Sequence, residues 1–439
     1  MRKFVQYEIA DAVSFKANLL CFAKKFQRCC FLDSNSEFSE KNINFIAGVD
    51  SVSEIISSKN SFESLKRFHK EKNDWLFGFF SYDLKNEVEN LSSENFDGVE
   101  FPQMNFFQPK YVFIVRNNNI EIRFLSEVST EEEVATIVQD INNQLQIVNC
   151  KLQIVEVKSR ISEEEYIHTI NKIKNHIHLG DVYETNYCME FFSEEVEINP
   201  AEVFWKLNTT SQTPFSAFYR LNDKYLLCAS PERFLKKEGR KIISQPIKGT
   251  AKRGKNNSED NEIKNILSKN EKEKCENVMI VDLVRNDLSK TCNDVKMDEL
   301  FGVYTFKQWH QMISTVSGEM KKCVHFTDVI KNAFPMGSMT GAPKVRAMEL
   351  IEQYEKTKRG LYSGTVGYIT PEGDFDFNVV IRSILYNASS KYLSFQVGSA
   401  ITANSIAENE YEECLLKAKG MFEALNINTN IKMNSFSHA

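Results

Sequence analysis

Five short apolar runs, at residues 225–229, 241–247, 361–369, 379–386 and 392–397, are interrupted by helically spaced segments at 259–283 and 344–354 and followed by another at 405–425. This grouping limits the fold more than any other feature of the chain. Strands that come in runs, with helices set apart from them, predict an α+β protein with antiparallel sheets. Upstream, apolar strands at 111–116 and 121–125 precede a helical run at 130–145. Ser162 and Glu165 have the spacing of a capping box, Tyr166, Ile170, Ile173 and Ile177 keep helical period, and Gly180 supplies the stop.

The 439 residues are long enough for two or three domains. A boundary near 158–162 gives an N-terminal region at 1–160, a second region at 161–427, and a polar tail at 428–439 read as disordered. With 42% hydrophobic and 26% charged residues, the composition is that of a soluble globular protein. A net charge of −6 speaks against a general nucleic-acid surface, which needs clustered basic residues. The ten cysteines contain no CxxC pair, and a bridge between adjacent Cys29 and Cys30 is strained, so reduced thiols in a cytoplasmic protein are expected. No stretch approaches the ~20 apolar residues that span a bilayer, and the first twenty residues lack a signal-peptide core, so no membrane association is expected.

Two helical segments carry acids at the same spacing. Glu273 and Glu276 are three residues apart, as are Glu410 and Glu413, and Lys417 lies one turn beyond Glu413. Each set shares one helix face. Such faces are usually solvated. If the two faces oppose each other, four carboxylates crowd together and need a cation, and oxygen donors favour Mg²⁺ over zinc. The glycine-rich turn at 337–344 (GSMTGAPK) leads into a helix, and a second loop at 398–400 leads toward the acid-bearing helix. Either can present backbone N–H groups to an anion, or be an ordinary connection. Arg382 lies within an apolar strand-like run, where a buried guanidinium needs a structural or a substrate carboxylate. The residues thus describe a metal-assisted site for a carboxylated small molecule, without naming it.

The same residues fall in ordered segments: SPERF from Ser230, QPIKGT from Gln245, ENVMIVDLVRND from Glu276, FPMGSMTGAPK from Phe334, RGLYSG from Arg359, and EYEE from Glu410 with Lys417. In these segments the chain resembles, over about 162–425, the chorismate-utilising enzymes: anthranilate synthase component I, aminodeoxychorismate synthase component I, and the isochorismate and salicylate synthases. The resemblance implies a two-layer antiparallel β-sandwich with outer helices, a Mg²⁺ site and a pocket for chorismate. It implies Glu276 and Glu413 as direct metal ligands, with Glu273 and Glu410 supporting the metal and its waters. By the same resemblance, Tyr362 and Arg382 hold the enolpyruvyl carboxylate, and Lys417 with the amides around Gly398 holds the other. Thr340 and Gly341 lie against the ring, and Glu232 is the general acid that helps the hydroxyl depart.

One position separates the branches of the family. In PIxGT the anthranilate synthases carry Ala at x and the aminodeoxychorismate synthases carry Lys, and here it is Lys248. The resemblance implies a neutral lysine amine that forms a covalent adduct, which ammonia then displaces. A nearby metal and a partly dry pocket are expected to depress the Lys248 pKa; the alternative role is charge partner to a carboxylate. In GDVYETN (180–186), Glu184 stands where ammonia users have Gln and water users have Lys. It argues against isochorismate or salicylate synthesis and suits the holding or deprotonation of an ammonium. Gln311 occupies the family's His position, and neighbouring His310 is not given that role. FLDS at 31–34 resembles a tryptophan-contacting LLES segment, with Asp33 for Glu.

No glutamine-hydrolysing elbow is read in the chain, nor room for a lyase after Leu425. The expected product is therefore 4-amino-4-deoxychorismate, made with ammonia from a separate glutamine amidotransferase subunit. Two alternatives stay open: an anthranilate synthase component I, and a non-catalytic subunit that activates its amidotransferase partner.

Overall fold

The computed structural model describes residues 2–35, 43–143, 155–307 and 309–427. The expected tail at 428–439 and the end of the helix expected at 130–145 lie outside the described residues. Among the described residues, twenty strands form one connected, antiparallel network with helices on its outside, so the expected α+β class and antiparallel sheets are found.

The network has two faces joined at one strand. The first layer runs, in order, Glu184–Ser193, Tyr392–Ile401, Ser383–Asn387, Lys224–Ser230, Phe215–Leu221, Arg28–Asp33, Phe45–Ser57 and Met104–Arg116. Met104–Arg116 turns the corner. Its second half pairs with Asn119–Leu125, while its first half pairs with Leu76–Phe80, which opens the second layer. That layer continues through Thr365–Ile369, Phe375–Asn378, Arg233–Glu238, Lys241–Gln245 and Trp309–Met320 to Cys292–Thr305.

The period of two along a strand distributes side chains between two cores. Leu227 and Ala229 face the outer helices, whereas Leu226 and Cys228 face the interior between the layers. Cys29 and Cys30 divide the same way, which is why these adjacent thiols stay free and apart. The outer core takes Leu207, Cys414 and Phe422 from the helices Pro200–Ser211 and Ala407–Ala424. Asp33 is bound by Lys16, 2.7 Å away, and by Asn208. No helix among the described residues is long and apolar enough to cross a membrane.

Three sequence expectations are corrected. The helix expected at 259–283 is two helices, Asn257–Lys269 and Glu271–Thr291. Asn270 breaks it because its backbone is extended and its side chain accepts from Glu273 N at 3.1 Å, starting the second helix. Only Thr365–Ile369 of the run at 361–369 is a strand; the first four residues make the turn that carries Tyr362. The run at 379–386 is a strand only from Ser383, since Val380 pairs instead with Ser363 and Gly364. Arg382 therefore lies just before a strand and not inside one, at φ 52 in the left-handed region. Holding a non-glycine residue there costs about 1–3 kcal/mol, a cost concentrated at functional positions.

Phe79 is fully buried between the layers, edge-on to Phe101 and Tyr219. Phe79→Ala is expected to destabilise the fold by about 3–5 kcal/mol, read as a lower urea midpoint.

Candidate active site

The helices Glu271–Thr291 and Ala407–Ala424 do bring their acids together. Glu273, Glu276, Glu410 and Glu413 line one pocket of about 240 Å³. Lysines stand between them. Lys272 Nζ lies 3.8 Å from Glu276 and 3.7 Å from Glu410, and Lys417 Nζ lies 2.6 Å from Glu413. Burial, relieved in part by Lys248 and Lys272 but reinforced by the charges of Glu184 and Glu273, pushes the Glu276 carboxyl up to about 7. Burial and neighbouring Glu413 raise Glu273 as well. Burial also acts to raise Glu413, but Lys417 together with Lys272 and Lys248 outweighs it and the net shift is downward.

The donor set fits a hard divalent cation. All four groups offer carboxylate oxygens, and Glu276 Oε1 is buried without a hydrogen-bond partner. As the side chains stand, however, no group of three or more His, Cys, Asp or Glu among the described residues is close enough to hold an ion.

Lys248 reaches the floor of the pocket from the strand Ile247–Lys252 and donates to Glu184 Oε1 at 2.5 Å. Glu184 is fully buried, and its Oε2 has no hydrogen-bond partner. Burial does push Lys248 down, but the charges of Glu184, Glu276 and Glu232 prevail and raise it above the ordinary lysine value. As it stands, Lys248 is an ammonium in a buried ion pair.

Glu232 lies at the same floor. Its Oε1 accepts from Ser338 Oγ at 2.6 Å, and burial holds its carboxyl up at about 7 despite that bond and Lys248. Gln311 lines the pocket with an unpartnered Oε1. His310 points elsewhere, bound to Asp260 and Thr305 at 2.9 Å each. Tyr362 and Arg382 form a further wall. Among the described residues Arg382 has no carboxylate partner, and burial lowers its pKa. Lys417 also donates to Gly398 O at 2.8 Å.

Thr340 and Gly341 are not brought to the lining. Thr340 spends its hydroxyl on Met336 O at 3.2 Å. Gly341, at φ 147, packs so closely that a Cβ would sit 2.1 Å from Glu184 O. Their turn instead props the backbone of Glu184 and Asn186 from behind.

Sequence reasoning missed Arg359 as a site residue. It is fully buried, paired with Glu355 at 2.7 Å, and donates to Met339 O at 2.6 Å and Asn186 O at 3.3 Å. It thereby ties two pocket-lining residues, Met339 and Asn186, to the end of the helix Lys344–Tyr354. Lys272 was also missed, although its place beside Glu273 was a signal. Ser338 and Asn186 sat inside recognised segments without a role.

The family model described as chorismate binding enzyme matches residues 25–423. The chain belongs to the chorismate-binding enzymes. Among members of this family, aminodeoxychorismate synthase component 1 of Bacillus subtilis is 31% identical over 80% of this chain and 76% of its own length. Anthranilate synthase component 1 of Thermus thermophilus is 28% identical over 80% and 77%. The crystal structure of anthranilate synthase component I from Streptococcus pneumoniae superposes with a TM-score of 0.77 at 24% identity, covering 90% of this chain and 92% of that one, which establishes the shared fold.

In this chorismate-binding enzyme the raised Glu232 has a consequence for stability. A carboxyl whose folded pKa is about 7, against 4.5 ordinarily, favours folding most below pH 4.5. That contribution is lost as pH rises through 7. Glu232→Gln is expected to be more stable than the parent at pH 8.5, by up to about 3 kcal/mol, with the gap closing toward pH 5. Calorimetry across that range checks it.

Proposed function

We propose that the chain aminates chorismate to 4-amino-4-deoxychorismate, with ammonia supplied by a glutamine amidotransferase partner and Mg²⁺ as cofactor. The observation that carries the reading is Lys248, buried at the pocket floor within reach of a proton acceptor and beside a carboxyl poised near neutrality. The name of the Bacillus subtilis relative agrees with it, and "component 1" in that name fits a partner subunit.

Arg382 and Tyr362 bind one substrate carboxylate, and Lys417 with the amides around Gly398 binds the other. Glu276 and Glu413 would hold Mg²⁺, with Glu273 and Glu410 behind them, and the ion would supply Lewis-acid charge for the departure of the hydroxyl. Lys248 passes a proton to Glu184 along their 2.5 Å hydrogen bond, and the free amine adds to the ring. Glu232, partly protonated at neutral pH, gives its proton to the departing hydroxyl, which leaves as water. Ammonia then bonds to the carbon that bore the hydroxyl, and the bond to Lys248 breaks with its electrons returning to nitrogen. Glu184 returns its proton to the lysine, and the new ammonium reprotonates Glu232. Every group is restored.

A second reading, anthranilate synthase component I, is favoured by the Thermus thermophilus relative. Product analysis separates the two. With chorismate, Mg²⁺ and an ammonium salt, p-aminobenzoate is expected only when a lyase is added, and Lys248→Met is expected to suppress it. Fluorescent anthranilate without lyase decides for the second reading; no turnover at all decides for a non-catalytic subunit. Glu184→Gln removes the acceptor from Lys248. Its amination rate is expected to rise steeply with pH between 7 and 10, while the parent's stays flatter, as a stopped assay over that range will read.

A further inference from the structure

A second cavity, of about 300 Å³, adjoins the chorismate pocket, and the two share Lys252, Trp309, Gln311, Arg382 and Lys417 in their walls. Its deep surface is apolar, with Leu207, Ala229, Phe306 and Met421 all buried. Its charged lining is one-sided: Lys252, Arg253, Arg382, Lys417 and Lys419 against the single acid Glu423. Two of these cations are already matched, Arg253 by Asp260 at 2.7 Å and Lys417 by Glu413. Lys419 stands 3.7 Å from Glu423 with both side chains well exposed, a pairing that neutralises little. Lys252 and Arg382 have no ion-pair partner among the described residues, and both lie on the wall between the cavities.

The chorismate pocket itself also carries Glu273, Glu276, Glu410 and Glu413. A dianion coming in past four carboxylates meets repulsion, whereas the cationic side concentrates it. A metal cation or an ammonium has the reverse preference. An apolar floor ringed by cations also matches a small carboxylate with a hydrocarbon body.

We propose that this second cavity is the entrance through which the dicarboxylate substrate reaches the pocket, with Lys252 and Lys419 steering it and Arg382 receiving it at the seam. The inference rests on the reading of the substrate as chorismate. It assigns a route and two steering residues that the proposed chemistry does not use.

Of the chain's three tryptophans, only Trp309 lines these two cavities, so its fluorescence reports arrival directly. Stopped-flow mixing of the full chain with chorismate and Mg²⁺, without ammonia, measures association apart from turnover. The double variant Lys252→Gln/Lys419→Gln is expected to associate roughly tenfold more slowly at low ionic strength, within the usual range of steering effects, and less than twofold more slowly at 0.5 M salt. Its dissociation rate is expected to change little, and Lys419→Gln alone is expected to keep the parent kcat. A charge-matched control at a distant exposed lysine, Lys158→Gln, is expected to behave as the parent. Equal slowing by the control, or an unchanged association rate and salt slope in the double variant, overturns the entrance. So does a raised KM for ammonia with chorismate association untouched, which makes the cavity an ammonia route. Failure of chorismate to bind the parent at all defeats the functional reading itself, and the entrance with it.

Discussion

The pocket depends on a charge that never meets solvent. The Arg359 guanidinium is sandwiched between the Glu355 carboxylate and the face of Tyr82, whose ring centre is 4.6 Å away. Removing an ion pair from water carries a penalty of several kcal/mol per ion, recovered only where nearly every donor and acceptor is matched. Here the matching reaches outward: to the carbonyls of Met339 and Asn186, and through Glu355 to the backbone N–H of Cys188. The turn bearing Tyr362, the glycine-rich turn and the strand bearing Glu184 are thus fixed to one another through a single planar group. The N-terminal segment joins the same arrangement, because Tyr82 N donates to Gly360 O and Gly360 N donates to Asp83 at 3.0 Å. Residues remote in sequence from the chemistry therefore hold the loop on which Tyr362 sits.

Around that fixed frame the site carries more acid than base. Glu184, Glu232, Glu273, Glu276, Glu410 and Glu413 face Lys248, Lys252, Lys272, Lys417 and Arg382. The imbalance is absorbed by protons: Glu232 and Glu276 are both held near 7, where each is partly neutral. A bound divalent cation would take over the same duty. Lys272, spanning Glu276 and Glu410, occupies the middle of this balance and is the only one of these five cations on the helix of the acids Glu273 and Glu276.

Much of this was legible in the sequence because it lies in local spacing. The acid pairs three residues apart fix one helix face each, and the capping box at Ser162 and Glu165 appears with both reciprocal bonds formed. The length of the helix Lys344–Tyr354 was also readable from its period. What escaped depends on partners far along the chain. Arg382 looked like a strand residue because its neighbours are apolar, yet hydrogen bonds from Val380 to the turn at Ser363 and Gly364 displace that stretch from the ladder. The charge balance at Lys248 could not be read from spacing either, since pocket dryness and three acids pull in opposite directions. Arg359 stood within a recognised segment, but nothing in its spacing announced a partner in Asn186.

The division of Cys29 and Cys30 between two cores has a further meaning for the strand Arg28–Asp33. In a sheet with one wet face, a slip of one residue exposes apolar side chains and is rejected on that ground. Here both faces are apolar, so hydrophobicity is nearly indifferent to such a slip. What sets the alignment is the pair of charges at the strand's two ends: Arg28 gripped by Glu54 at 2.7 Å, and Asp33 gripped by Lys16. These two bonds act as the end marks of a ruler, giving the strand the positional information that its greasy middle lacks.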